Sequence, residues 1–304
     1  MTLLDGVAMF MRQLSTERNM APGTVEAYRY ELGRLSEFLS KLDQAKMKNA
    51  AKVEPYDLKD YLATMREDRN CKPATIARVI SCLRQFFGFL AAEGIIGTDP
   101  AMSLRTPKKS RKLPVYLTPG EANRMSRNLP NDGEESDENR LRDETIIGLL
   151  MLTGMRLSEL VGLDIEAVDF ENSVAKVFGK GRKERLVPLN SGAKELLKEW
   201  LAARPHGKEG CRALFLSRDR GRISKRTIQH LVKKAVKRNG LDRRISPHKL
   251  RHTFATTLYA EAVDLRDIQE ILGHATIVST SVYTHTNVEK VRAAVNKLKV
   301  GKSG

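Results

Sequence analysis

In the stretch TVEAYRYELGRLSEFL, apolar side chains recur every three or four residues, at Val25, Tyr28, Leu32, Leu35 and Leu39. That spacing predicts an amphipathic helix, with Thr24 as its N-cap. A second run, TIARVISCLRQFFGFLAAEG, puts Ile76, Val79, Ile80, Leu83, Phe86, Phe87 and Leu90 on one broad face and stops at Gly94. A shorter helix is expected between them, within DLKDYLATMRED. No internal repeat stands out.

The character then changes. RTPKKSRKLP, from Arg105 to Pro114, carries five basic residues and two prolines and has little to bury, which reads as an extended linker. It is either a solvated tether or a set of cations that engage phosphates. LTPGEANRMSRNL looks like a capped helix, and the acidic patch NDGEESDEN, Asn131 to Asn139, like an exposed loop. ETIIGLLMLTGMRLSELVGL reads as helical with a break near Thr153–Gly154. AVDFENSVAKVFGKGRKERLVPL alternates as strands do, around a turn at Gly179–Gly181. The remainder, to about Lys299, is mostly helical. The expected fold is mainly α: an all-helical N-terminal domain over 1–104, a basic linker over 105–116, and a mostly helical domain over 117–304 holding a small antiparallel sheet.

A chain of 304 residues has room for two domains, and 41% hydrophobic with 30% charged residues is a globular composition. Charge narrows the function. A net +16 suits a polyanionic partner, nucleic acid before membrane. Neither end reads as a signal peptide or a long apolar span, so a soluble, cytoplasmic protein is expected. The three cysteines, Cys71, Cys82 and Cys211, are scattered and form no CxxC pair, which argues against a disulfide framework or a cysteine zinc site.

Cationic and imidazole groups stand near turns or helix starts at four places: Arg156 in TGMRLSEL, Lys180 in FGKGRKER, His248 and Arg251 in SPHKLRHTFATTL, and His274 in ILGHAT. Each alone is a weak signal. His248 and His252 share a helical face at metal-ligand spacing, yet Lys249 stands where a zinc-protease motif has its glutamate, and the neighbouring cations disfavour a dication. No metal is expected.

Taken in order, TGMRLSEL, GKGRKERLVPL, HKLRHTFAT and LGHATIVSTSVYTH resemble the signature series of the tyrosine recombinases, the lambda-integrase family, and within it the Xer-type branch that resolves chromosome dimers. The resemblance covers nearly the whole chain, because TVEAYRYELGRLSEFL and DPAMSLRTPKKSRKLP also look like that branch's core-binding domain and linker. It implies a catalytic set of Arg156, Lys180, His248, Arg251, His274 and Tyr283, with Tyr283 as nucleophile. Beside such a DNA-binding body the linker cations Lys108, Lys109, Arg111 and Lys112 are expected to contact DNA phosphates. The resemblance also implies an N-terminal core-binding domain that clamps DNA and a C-terminal catalytic domain. Two departures touch no catalytic position: EAVD at Glu261–Asp264 replaces a frequent double glycine, and the acidic loop is longer than usual. The tail NVEKVRAAVNKLKV, with Val288, Val291, Val295 and Leu298 on one stripe, packs in its own domain or docks on a neighbouring protomer as an exchange helix.

The chemistry is also argued by the residue types. A tyrosine hydroxyl, with a pKa of about 10, needs a base before it can attack. Two arginines can grip the non-bridging oxygens of a phosphodiester through paired hydrogen bonds, with His274 as a further donor. His248 can take the Tyr283 proton, and Lys180 can protonate the leaving 5′ oxygen. Glu159, one turn after Arg156, orients a neighbour or is an ordinary surface glutamate. A 3′-phosphotyrosine keeps the bond energy, so no cofactor, ATP or metal is expected, in keeping with the lack of a GxxxxGK[ST] loop.

The resemblance implies duplex DNA as partner and four protomers on two sites, as a homotetramer or with a second recombinase. Strands then exchange through a Holliday junction, with an accessory DNA translocase as a further partner and the nucleoid as location. A phage or mobile-element integrase, a type IB topoisomerase and a catalytically silent DNA-binding regulator remain as alternatives.

Overall fold

The computed structural model describes residues 1–16, 20, 22–67, 70–107, 116–128, 136–179, 184–241 and 245–273. The chain divides into two compact units, Met1–Lys112 and Leu113–Gly304. The boundary falls within the basic linker, whose residues 108–115 lie outside those described.

The first unit is helical throughout most of its described residues: α1 (Leu3–Thr16), α2 (Pro22–Leu42), α3 (Gln44–Lys48), α4 (Pro55–Glu67) and α5 (Pro73–Ala92). The predicted stripes are its core. Leu32, Leu35 and Leu39 of α2 and Val79, Ile80, Leu83, Phe86, Phe87 and Leu90 of α5 are buried together with Phe10 and Leu14 of α1. By composition alone α5 is long and apolar enough to cross a membrane, but its apolar side chains are buried against α1, α2 and α4. Helix α2 begins at Pro22, so Thr24 lies in its first turn and is not the N-cap. Proline lacks only a backbone N–H that a first turn leaves unpaired in any case, and its φ is already helical, so it opens helices readily.

The second unit contains α6 (Pro119–Arg127), α7 (Asp137–Thr153), α8 (Leu157–Val161), β1 (Val168–Asp169), β2 (Val174–Phe178), β3 (Glu184–Pro188), α9 (Ser191–Ala203), α10 (Lys225–Arg238), α11 (Pro247–Ala260) and α12 (Leu265–Leu272). Thr118 and Glu121 form a reciprocal capping box at the start of α6, as the LTPGE signature predicts. The acidic patch is not wholly a loop: Ser136 caps α7, and Asp137 and Glu138 occupy its first turn, where negative charge favours the helix dipole. Ile146, Ile147, Leu149, Leu150 and Leu152 leave the C-terminal half of α7 apolar all round, and α7 packs on α9 and α11.

The sheet is antiparallel in the order β1-β2-β3, with Val177 opposite Arg185 and Ala175 opposite Val187. Alternation sends Ala175, Val177 and Val187 into the core while Lys176, Phe178 and Leu186 face outward. Arg185 shares the inward parity of Val187, an unusual place for an arginine.

Candidate active site

The site is built where four segments meet: the α7–α8 junction, β3, α11 and α12. Helix α7 ends at Gly154, which adopts φ +59° as a left-handed C-cap. A Cβ there would stand 2.4 Å from Phe254 Cδ1 and 3.1 Å from Leu272 Cδ2, so the turn is pressed against α11 and α12. This close approach explains the break at Thr153–Gly154. The chain leaves the turn through buried Met155 and presents Arg156 immediately before α8.

Glu159, fully buried, organises the arginines around it. Its Oε1 accepts from Arg156 Nη1 at 2.7 Å and Arg185 Nε at 3.1 Å. Its Oε2 accepts from the Arg156 backbone N at 2.8 Å and Arg185 Nη2 at 2.6 Å. Each oxygen thus takes one bond from each arginine. The ordinary-surface alternative for Glu159 is excluded by its 2% exposure, and its role is to orient Arg156.

The remaining donors converge on the end of α12. Arg185 Nη1 donates to the Ile271 carbonyl at 2.5 Å, Arg156 Nη2 donates to the Gly273 carbonyl at 2.6 Å, and Arg251 Nη2 donates to the Leu272 carbonyl between them. Arg251 Nη1 reaches back to the Gly154 carbonyl at 2.6 Å. Three consecutive carbonyls therefore each accept from a different guanidinium, and the C-terminal end of a helix, being partially negative, suits cations there. Gly273 closes α12 at φ +62°, and a Cβ on it would lie 2.9 Å from Arg185 Cδ. Only glycine meets both demands without displacement.

Electrostatics reflect this packing. Burial by itself would raise the Glu159 pKa; the hydrogen bonds and charge of Arg185, then the backbone and side-chain bonds of Arg156, outweigh it and hold the carboxyl below its usual range. Burial, reinforced by Arg156 and Arg185, pushes Arg251 down to about 10, and it stays protonated at neutral pH. Three guanidiniums around one carboxylate leave two net positive charges in a mostly buried cluster. Such a cluster can hold and orient a phosphate.

His248 is exposed in the first turn of α11, three residues before Arg251 and so on a neighbouring part of the same helix face. His252 is also exposed; it hydrogen-bonds Thr256 Oγ1 at 3.1 Å and stacks on Tyr116. Among the described residues no group of three or more metal-ligating side chains is gathered. Lys180, His274, Tyr283, Lys108, Lys109, Arg111 and Lys112, together with the tail NVEKVRAAVNKLKV, lie outside the described residues. Arg185 is not among the residues that the motifs single out, yet its signal is present in them. In GKGRKERLVPL it has the same strand parity as Val187, and a cation with core-facing parity needs a buried partner.

Residues 116–290 match the model of the phage integrase family, and residues 7–94 match that of the phage integrase N-terminal SAM-like domain. The chain belongs to the phage integrase family. This makes it a tyrosine recombinase, of a family of DNA strand-transferring enzymes. The protein named Tyrosine recombinase XerC of Natranaerobius thermophilus is 38% identical over 295 residues, spanning 95% of this chain and 96% of that one. Tyrosine recombinase XerC of Shewanella amazonensis is 38% identical over 275 residues, or 90% of this chain and 89% of that one. The fold is shared with the XerH site-specific recombinase bound to palindromic difH substrate in its post-cleavage complex: TM-score 0.69 and 24% identity, over 96% of this chain and 94% of that one.

Proposed function

We propose that this recombinase cuts and rejoins duplex DNA at a specific site through a 3′-phosphotyrosine on Tyr283. Arg156 and Arg251 hold the non-bridging oxygens of the scissile phosphate, with His274 as a further donor. His248 takes the Tyr283 proton as the phenolic oxygen bonds to phosphorus. The bond from phosphorus to the 5′ oxygen breaks, and Lys180 protonates that oxygen. Religation runs the same steps in reverse with a different 5′ hydroxyl. The phosphodiester bond energy is conserved in the intermediate, so the cycle needs no nucleotide and no metal.

The observation that carries this reading is the convergence of Arg156 and Arg251, distant in sequence, on the adjacent carbonyls of Gly273 and Leu272, directly before His274. The net +16 of the chain supports a DNA partner. Relatives named Tyrosine recombinase XerC, aligned over nearly their whole length, support the Xer-type assignment: four protomers on two sites, a Holliday junction, and resolution of chromosome or plasmid dimers. Under this reading the helical first unit clamps DNA, the linker cations contact phosphates, and the protein works in the cytoplasm at the nucleoid.

The test is a covalent adduct. Wild-type protein incubated with total cell DNA should yield DNA-linked protein on a denaturing gel, and sequencing that DNA identifies the site. Tyr283→Phe should bind the same DNA with unchanged affinity, because phosphate contacts dominate binding, and should form no adduct. Adduct from Tyr283→Phe would show that another residue is the nucleophile.

A further inference from the structure

We infer that Arg185 is a positioning residue for phosphoryl transfer, which holds Glu159 against Arg156 while restoring the positive charge that Glu159 cancels. The inference rests on the proposed role of Arg156 and Arg251 at the scissile phosphate.

The physical problem is specific. Arg156 needs a fixed orientation, and Glu159 supplies it with a bond to the guanidinium and another to the backbone N–H. A carboxylate that orients a cation also neutralises it. Arg156 and Arg251 with Glu159 alone would leave one net positive charge facing the phosphate. When the phenolic oxygen adds to a phosphodiester, the pentacoordinate group carries up to two negative charges. With Arg185 the cluster carries two positive charges, so it complements that state better than the ground-state diester, and only such differential binding accelerates the chemical step.

Placement fits compensation rather than contact with substrate. The Arg185 side chain is 12% exposed, but Arg251 is buried as deeply, so it is the bonding rather than the exposure that sets Arg185 apart. Its Nε and Nη2 are committed to the two Glu159 oxygens, and its Nη1 to the Ile271 carbonyl. Its stem lies under Gly273, where a Cβ would be 2.9 Å from Arg185 Cδ. Arg185 thus ties β3 both to the residue that orients Arg156 and to the end of α12, from which the chain runs directly to His274.

The test uses the full-length protein and a duplex bearing the site recovered by adduct sequencing, made with a normal or a sulfur-bridged 5′ leaving group. Single-turnover adduct formation at saturating protein separates chemistry from binding. Arg185→Gln should form adduct about 100-fold more slowly on both substrates, with its Kd for the duplex within about threefold of wild type. Arg185→Lys keeps the charge and loses the fork, and should recover to within about tenfold of the wild-type rate. Its rate relative to wild type on the sulfur substrate should fall as pH rises toward about 10, because an ammonium, paired with Glu159 but set beside Arg156 and Arg251, titrates in that range while the Arg185 guanidinium stays protonated. A purely structural role would leave that ratio flat with pH. A flat ratio, equal deficits in the two variants, or a Gln variant at wild-type rate would each overturn the inference. If Arg185→Gln does not fold, the pH profile of Arg185→Lys decides alone. Absence of adduct from wild-type protein would instead sink the proposed function itself.

Discussion

Glu159→Gln isolates the charge at the centre of the cluster, because the amide keeps the shape of the carboxyl. Each carboxyl oxygen accepts one bond from Arg156 and one from Arg185, four in all. Whichever way the amide is turned, its nitrogen faces two N–H donors, so two bonds to a charged group become donor–donor contacts. Losing one partner of a buried, hydrogen-bonded ion pair typically costs about 3–5 kcal/mol, against about 5–15 kcal/mol of total stability for a domain. The sole tryptophan, Trp200, is buried in the second unit with its Nε1 bonded to the Leu214 carbonyl at 3.0 Å, so its fluorescence in urea reports on that unit separately. We expect the midpoint to fall by the equivalent of about 3–5 kcal/mol. The pH dependence supplies a second arm. The folded pKa of Glu159 lies below its ordinary value of 4.5, so its contribution is complete above that value and is lost as pH falls through the folded pKa. The gap between wild type and variant should be constant from about pH 8 to about pH 5 and shrink below about 4.5. A loss under about 1 kcal/mol, or a gap that persists unchanged in acid, would refute the account of Glu159 as a charged hub.

Three other outcomes are expected from the same chemistry. Lys180→Ala should be slow on normal DNA and largely rescued on a substrate with a sulfur leaving group, while Arg156→Ala stays slow on both; equal deficits for Lys180→Ala would remove it as general acid. Neutralising Lys108, Lys109, Arg111 and Lys112 together should weaken binding to all sequences and reduce the slope of log K against log salt by about 0.9 for each phosphate no longer neutralised, and an unchanged slope would leave the linker a tether. Gly154→Ala should destabilise the second unit by about 2–5 kcal/mol, combining left-handed strain with overpacking against Phe254, and a neutral result in the same urea assay would contradict the tight turn.

What the sequence disclosed and what it hid divide along a physical line. The stripes of α2 and α5, the Thr118 cap and the break at Gly154 are written within a few residues of where they act, and local pattern reveals them. Thr24 and the acidic patch mark the limit of local pattern, because two signals compete there. The stronger one, a proline at the first helical position or a serine cap, stands just beside the weaker. The centre of the site is different in kind. Arg185 meets Glu159 across 26 positions and Ile271 across 86, and such pairings arise only from tertiary packing.

Strand parity links the two scales. Along ERLVP, alternation sets Arg185 and Val187 on the same face, and the register of β3 against β2 makes that face the inner one, with Arg185 opposite Val177. A cation there requires a buried anion, and the motif nearest in sequence that offers one is TGMRLSEL, through Glu159. The demand runs in the other direction as well, since a buried Glu159 with Arg156 as its single partner would silence the cation it orients. The two motifs therefore specify each other: the arginine that faces the phosphate needs the glutamate for direction, and the glutamate needs the second arginine for charge.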